Sequence, residues 1–450
     1  MSIALVILAA GKGTRMNSDL PKVLHQIAGA PMLVHAMKSG EALSPERTII
    51  VGGHGFDAVK DATLEHSPEA ALVCQVDQNG TAHAVSQSRE ALDGFEGDVI
   101  VLYGDTPFIR PETLETMVAA RANHAVVVLG FHAADPGKYG RLIMQDDSLD
   151  AIVEFADASP EQRAITFCNS GVMLAKKETL FSLLDAVTSD NAQGEYYLTD
   201  IVGIARARGL TATAVACDEA ETLGINSRAQ LAEAESAFQQ RARQTLMDDG
   251  ITLQDPTTTY LSHDTVIGRD TIIEPHVFFG PDVTVESGVH IRAFSHLEGA
   301  HVSRGSVIGP YARLRPGAEL AENTRVGNFV EIKNATIDEG AKINHLSYIG
   351  DATIGAGANI GAGTITCNYD GVMKHKTVIG ARAFIGSNTM LVAPVKIGDD
   401  AMTGSGSVIT KNVENDAIGL SRAPQVNKAG FARKLFDMLK KKKEKLSEGR

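Results

Sequence analysis

The 450-residue chain carries a net charge of −13, an isoelectric point near 5.5 and 44% hydrophobic residues. That length predicts two or three domains with sizeable cores, and the acidic balance argues against a protein built to grip nucleic acid. Its four cysteines, Cys74, Cys168, Cys217 and Cys367, show no CxxC spacing, which argues against a disulfide framework or a thiolate zinc site and suits a reducing compartment.

In chain order, residues 3–8 form a continuous aliphatic run, as expected of a parallel strand buried on both faces. The residues before it lack a basic cluster, so it reads as a core strand and not as a signal peptide. No apolar run approaches the roughly 20 residues of a membrane span, and a cytoplasmic protein is expected. A Gly-rich turn follows, and strand-like runs recur at 48–51, 71–75, 98–103 and 125–130 with helix-length segments between several of them. Alternating strand and helix signals predict an α/β domain with a parallel sheet, whose ligands sit outside the carboxyl ends of its strands. Residues 227–247 contain no Gly or Pro and predict one long helix, so the domains are expected at 1–227 and 251–450 with a helical linker at 228–250.

The last third repeats an aliphatic residue every six positions, through Ile379, Ile385, Leu391, Ile397 and Ile409, with Thr403 in the remaining slot. The same step runs through Ile267, Ile273, Phe279, Val285, Ile291 and Leu297, then resumes after a phase slip at Ile308 and Leu314. A period of six fits neither helix nor plain strand alternation, but it does fit the hexapeptide coils of a parallel β-helix. Each inward side chain contributes roughly 1.5–3 kcal/mol on burial, so only a stack of coils outweighs the cost of ordering. The repeat breaks after Thr366, and residues 368–376 are expected to loop out of the stack. Beyond Ile409 it fades into a Lys-rich tail at 439–445, expected as a solvated disordered segment, with contact to nucleic acid or an acidic partner the alternative.

Two stretches carry chemistry. The turn Leu8-Ala9-Ala10-Gly11-Lys12-Gly13-Thr14-Arg15-Met16 lets backbone N–H groups approach phosphates, and Lys12 and Arg15 add positive charge. With Pro21-Lys22 behind it, the string resembles the signature of the sugar-1-phosphate nucleotidyltransferases. That resemblance implies attack by a sugar phosphate on the α-phosphorus of UTP, with Arg15 and Lys22 supplying charge. Asp105, in Tyr103-Gly104-Asp105 just past a buried strand, is placed to hold Mg²⁺, and the resemblance makes Asn226 its partner ligand. It further implies that Gln75, Gly80 and Thr81 read uracil and that Gly140, Glu154 and Asn169 contact the sugar. Taken alone, Asn226 reads more readily as a helix N-cap, and Lys22 can be a surface lysine.

In the hexapeptide region, polar residues break the pattern at Arg313–Arg315, Glu331–Lys333, Asn344–Tyr348 and 360–371. These strings resemble the acetyltransferase half of the bifunctional bacterial enzymes that make UDP-N-acetylglucosamine, a left-handed β-helix that assembles as a homotrimer. The resemblance implies that His345 is the general base toward glucosamine-1-phosphate, a role that suits an imidazole near neutral pH. It assigns Arg315, Lys333, Tyr348 and Asn359 to the sugar phosphate. It likewise places Ala362, Asn368, Tyr369, Ser387, Ser405 and Arg422 around acetyl-CoA. The resemblance also implies that the product is a precursor of peptidoglycan and lipopolysaccharide. Without its neighbours His345 is a corner histidine, and a β-helix that only trimerises a one-activity nucleotidyltransferase is the rival reading. Phe431 stands where the family typically has Trp, and the chain has no Trp.

Overall fold

The computed structural model describes residues 2–448. The chain divides into two compact units, Met1–Gln244 with Leu261–His263, and Thr245–Tyr260 with Asp264–Arg450.

The first unit is built on β1 (Ile3–Ala9), β2 (Arg47–Gly52), β3 (Ala71–Cys74), β4 (Asp98–Tyr103), β5 (Val126–His132), β6 (Phe167–Lys176) and β7 (Ala212–Cys217). Their order is β7-β5-β6-β4-β1-β2-β3. The sheet is mixed: six of these strands are mutually parallel, and β6 runs antiparallel to both β4 and β5. An antiparallel hairpin, Arg141–Gln145 with Ser148–Val153, precedes β6 and pairs with it through Cys168 and Arg141. Because β6 is antiparallel, its amino end at Asn169 lies beside Gly130, at the same edge as the carboxyl ends of the other strands. Alternate residues of β1 serve opposite faces, Ala4, Val6 and Leu8 in one core cluster and Ile3, Leu5, Ile7 and Ala9 in the other. Burial on both faces is the physical reason for its unbroken aliphatic run.

The long helix spans Arg228–Asp248 and lies with the first unit as far as Gln244. Its Leu231, Ala234 and Phe238 pack at helical spacing onto Ile27, Met32 and Phe108. Glu235 accepts the Ala28 N–H at 2.7 Å, and the Gln239 amide group donates to Leu261 O at 2.7 Å and accepts its N–H at 2.9 Å.

The second unit is a parallel β-helix of two- to seven-residue strands. One column of inward residues runs in register from Ile273 through Ile291, Ile308, Val326, Ile343, Ile360 and Ile385 to Thr403. The aliphatic members of that column are at most 2% exposed. Thr403 joins it because its hydroxyl is satisfied, accepting the Gly386 N–H at 3.0 Å and meeting Thr389 Oγ1 at 3.2 Å. The interruption loops out as expected: Tyr369 bridges Lys374 antiparallel, and the stack resumes at Thr377–Ile379 on Ala352–Ile354. One more strand, Ile418–Gly419, extends the stack past Ile409.

The Lys-rich tail differs from the expected disordered segment, forming a helix over Phe431–Glu448. Its Phe431, Leu435 and Leu439 recur at four-residue spacing among good helix formers, and Gly430 enters it at φ +73°.

Candidate active sites

The first site grows from the turn after β1. Gly13 sits at φ +59°, and a Cβ there would lie 2.6 Å from Lys22 Cβ, so this glycine lets the turn close onto the lysine. The Lys22 ammonium then ion-pairs with Asp105 and donates to Asn226 Oδ1 at 3.0 Å. The backbone reinforces this meeting, since the Ile225 N–H donates to Asp105 O at 3.1 Å. Two oxygen donors far apart in sequence thus converge on one cationic centre, an arrangement suited to a hard cation.

Around it is a cavity of about 280 Å³ lined by Leu8, Ala9, Ala10, Gly11, Lys22, Gln75, Gly80, Thr81, Tyr103 and Asp105. Gln78, Val23, Ala84 and Glu195 line it too, and the first three carry no signal in the sequence. Gln78 donates to Ala10 O at 2.6 Å, tying the 75–81 loop to the phosphate turn. Gln75 is buried and donates to Gly80 O at 3.1 Å. Gly80, at φ +112°, touches the backbone of Tyr196 so closely that a Cβ would stand 2.5 Å from its carbonyl oxygen. Gly104 follows β4 behind Tyr103 and is covered by Val23 and Leu33. Arg15 is exposed in the turn Thr14–Met16, whose Met16 is buried, and lines neither this cavity nor the next.

A second cavity of about 530 Å³ shares Thr81, Tyr103 and Glu195 with the first and adds Glu154, Asn169, Lys138, Tyr197 and Thr199. Gly140 stands beside it: a Cβ there would meet Glu154 Oε1 at 3.3 Å, and its carbonyl accepts the Asn169 N–H at 2.9 Å. Burial raises the Glu154 carboxyl above its usual range, partly offset by the Thr199 hydroxyl donating at 3.3 Å. Burial, with the nearby Asp105 carboxylate, also pushes the Tyr103 phenol well above its ordinary value, so it stays protonated and able to donate. A cavity that holds the Lys22 ammonium therefore adjoins a larger, polar one through Thr81, Tyr103 and Glu195.

The β-helix site is a surface and not a hole. His345 is exposed at a corner where Asn328 stacks on it in register, and His345 Nδ1 meets Asn328 Oδ1 at 2.7 Å. With the amide oxygen accepting, Nδ1 carries the proton and Nε2 keeps its lone pair. Arg315 pairs with Glu331 at 2.8 Å, and Glu331 stacks on Tyr348 in register. Lys374 of the looped-out segment, a cation missing from the sequence reading because only folding of the loop brings it there, comes close to Lys333. The close contact with Lys333, together with its like charge, holds the Lys374 ammonium below its usual range. Asn359 lies one coil on from Lys342.

Asn368 is buried at the base of the loop, donating to Asp351 Oδ2 at 2.5 Å, while Tyr369 is exposed. Burial acts to raise the Asp351 carboxyl, but donation from Asn334 and Asn368 outweighs it and the value falls. Ala362 accepts the Asn388 N–H at 2.7 Å, next to exposed Ser387. Arg422 donates to Ser405 O at 2.8 Å, so those two also meet.

Comparisons with known proteins agree with this division. Residues 5–194 match the MobA-like NTP transferase domain, and residues 376–411 match the bacterial transferase hexapeptide model of six repeats. A protein of Ruegeria sp. (strain TM1040) named bifunctional protein GlmU is 67% identical over 449 residues, spanning 100% of both chains. Proteins of the same name from Ruegeria pomeroyi and Roseobacter denitrificans are 69% and 64% identical over 98% and 100% of this chain. Likeness at that level across both units, and not over one alone, leads to one conclusion: the chain belongs to the GlmU family of bifunctional proteins.

Proposed function

We propose that the chain makes UDP-N-acetylglucosamine from glucosamine-1-phosphate in two steps, one on each unit. The observation that carries this reading is the pair of adjoining cavities in the first unit on the same chain as the His345–Asn328 pair of the second. The first step is acetyl transfer. His345 Nε2 takes a proton from the amino group, whose nitrogen attacks the thioester carbonyl of acetyl-CoA, and the coenzyme leaves as its thiolate. Arg315, Lys333 and Lys374 hold the phosphate dianion, and Tyr348 and Asn359 meet sugar hydroxyls. Acetyl-CoA lies along Ala362, Asn368, Tyr369, Ser387 and Ser405, with Arg422 toward its phosphates.

The second step is uridylyl transfer. A phosphate oxygen of N-acetylglucosamine-1-phosphate attacks the α-phosphorus of UTP, and pyrophosphate departs. Lys22 and Arg15 neutralise the two anions as they meet, Gln75 and Gly80 read the base, and Gly140, Glu154 and Asn169 orient the sugar. The convergence of Asp105 and Asn226 on one ammonium fits a Mg²⁺ site, where the ion would neutralise charge on the transferred phosphoryl group.

Three copies side by side along their β-helices form the assembly. An exposed ring ladder supports this, His276, Phe294, Tyr311 and Phe329 stacking at 4.8–5.3 Å between centroids. Acetyl-CoA then lies between neighbouring stacks. Use of acetyl-CoA and UTP supports a cytoplasmic location, and no helix among the described residues is long and apolar enough to cross a membrane. The product feeds peptidoglycan and lipopolysaccharide synthesis. The rival, a β-helix that only trimerises, is disfavoured by full-length likeness to proteins named bifunctional. The test offers the purified protein glucosamine-1-phosphate with acetyl-CoA and, separately, N-acetylglucosamine-1-phosphate with UTP and Mg²⁺. Turnover of both pairs is expected; no acetylation would reduce the second unit to an assembly device.

A further inference from the structure

None of the residues assigned to either chemistry lies in the helix Phe431–Glu448, and residues 431–447 are all exposed. Projected at about 100° per residue, Phe431, Leu435, Phe436, Met438, Leu439 and Leu446 fall within one arc of roughly 160°. Charge is not spread evenly over the rest. Arg433 and Lys440 flank one edge of the apolar arc and Lys434, Lys441 and Lys445 the other, while Asp437 and Glu444 sit at the middle of the polar face. Lys442 and Lys443 interrupt the apolar arc in the later turns, so its deepest part is the stretch from Phe431 to Leu439.

This distribution has a physical meaning. Cations at the edges of an apolar stripe can lay their aliphatic stems along it and lift their charges to a surrounding polar layer. Acidic groups held farthest from the stripe are farthest from a negative surface. The helix carries seven Lys or Arg against three acidic residues, on a chain whose net charge is −13. The positive charge of this helix is therefore local and not a property of the chain as a whole. A polyanion alone accounts for the lysines but not for six exposed apolar side chains on one face. Residues 420–430, apart from a bend and a turn, form no strand or helix and separate the last coil from this element. No helix among the described residues meets the length and apolarity of a membrane span, so this one fits lying on a bilayer and not crossing it.

We propose that Phe431–Glu448 is an interfacial membrane helix that docks the protein on anionic lipid bilayers, apolar face inward and edge lysines at the headgroups. Co-flotation of the full-length protein with phosphatidylcholine vesicles, with and without phosphatidylglycerol, tests it. Binding is expected only with the anionic lipid, at least about tenfold weaker in high salt, and lost in both Leu435→Ser/Leu439→Ser and Lys440→Gln/Lys441→Gln variants. Both activities assayed without vesicles are expected to be unchanged in those variants, which also shows that they fold. Failure of the wild type to bind anionic vesicles overturns the proposal. So does full binding by the Leu435→Ser/Leu439→Ser variant, which would make the helix a polyanion site. A change in oligomeric mass in that variant, without vesicle binding by the wild type, would assign the apolar face to a second copy and equally overturn it.

Discussion

The two sites of this chain are built in opposite ways. In the first unit, strand ends and loops enclose cavities of about 280 and 530 Å³, and Gln75 and Asn169 reach them as buried side chains. In the second, His345, Tyr369, Ser387, Ser405 and Arg422 stand exposed on the edges of a stack whose interior is filled by aliphatic side chains. An α/β sheet leaves a crevice where its strands end, so one copy can surround its ligand. A solenoid with a solid core has only corners and a protruding loop to offer, and under the reading above a neighbouring copy supplies the missing wall.

The largest expected effect separates the sites outright. His345→Ala is expected to slow acetyl transfer about 100- to 10,000-fold and leave uridylyl transfer unchanged, measured as separate steady-state rates. Asp105→Asn is expected to slow uridylyl transfer about 100- to 1,000-fold, with a raised Mg²⁺ requirement and normal acetylation. A smaller effect sharpens the description of the exposed site. Lys374→Gln is expected to raise KM for glucosamine-1-phosphate about tenfold with little change in kcat, because it removes one of the grouped cations that meet the phosphate.

The smallest concerns stability and turns on burial. Glu154 has its carboxyl raised above 4.5 mainly by burial, so the folded chain holds that proton more tightly than the unfolded chain. Stability is therefore lost as pH rises from 4.5 through the raised value. Glu154→Gln is expected to lift the melting temperature of the first unit by about 2 °C at pH 7 and not below pH 4, while weakening sugar binding. An equal gain at both pH values would mean that burial of charge is not the cause.

The β-helix was legible because its core is periodic: every six-step apolar residue from Ile267 to Leu297 is buried, and the break after Thr366 is the loop. The motif residues from Leu8 to Gly11 gather at the first cavity, with Lys22 and Asp105. What escaped depends on distance in the chain. Lys374 reaches Lys333 only when its loop folds back, and Gln78 reaches the cavity from a loop whose side chains follow no period. The antiparallel course of β6 had no signal of its own, since a buried strand reads alike in either direction. The tail helix was hidden by its lysines, although the spacing of Phe431, Leu435 and Leu439 was there to be found.

The most direct test of two separate chemistries on one chain mixes purified His345→Ala with purified Asp105→Asn. Each is given glucosamine-1-phosphate, acetyl-CoA, UTP and Mg²⁺, and UDP-N-acetylglucosamine is followed over time. Each variant alone is expected to make almost none, and the mixture to make it readily, because the acetylated intermediate can pass from one protein to the other. A mixture as inactive as its parts, with both proteins folded, would contradict the assignment of one step to each unit.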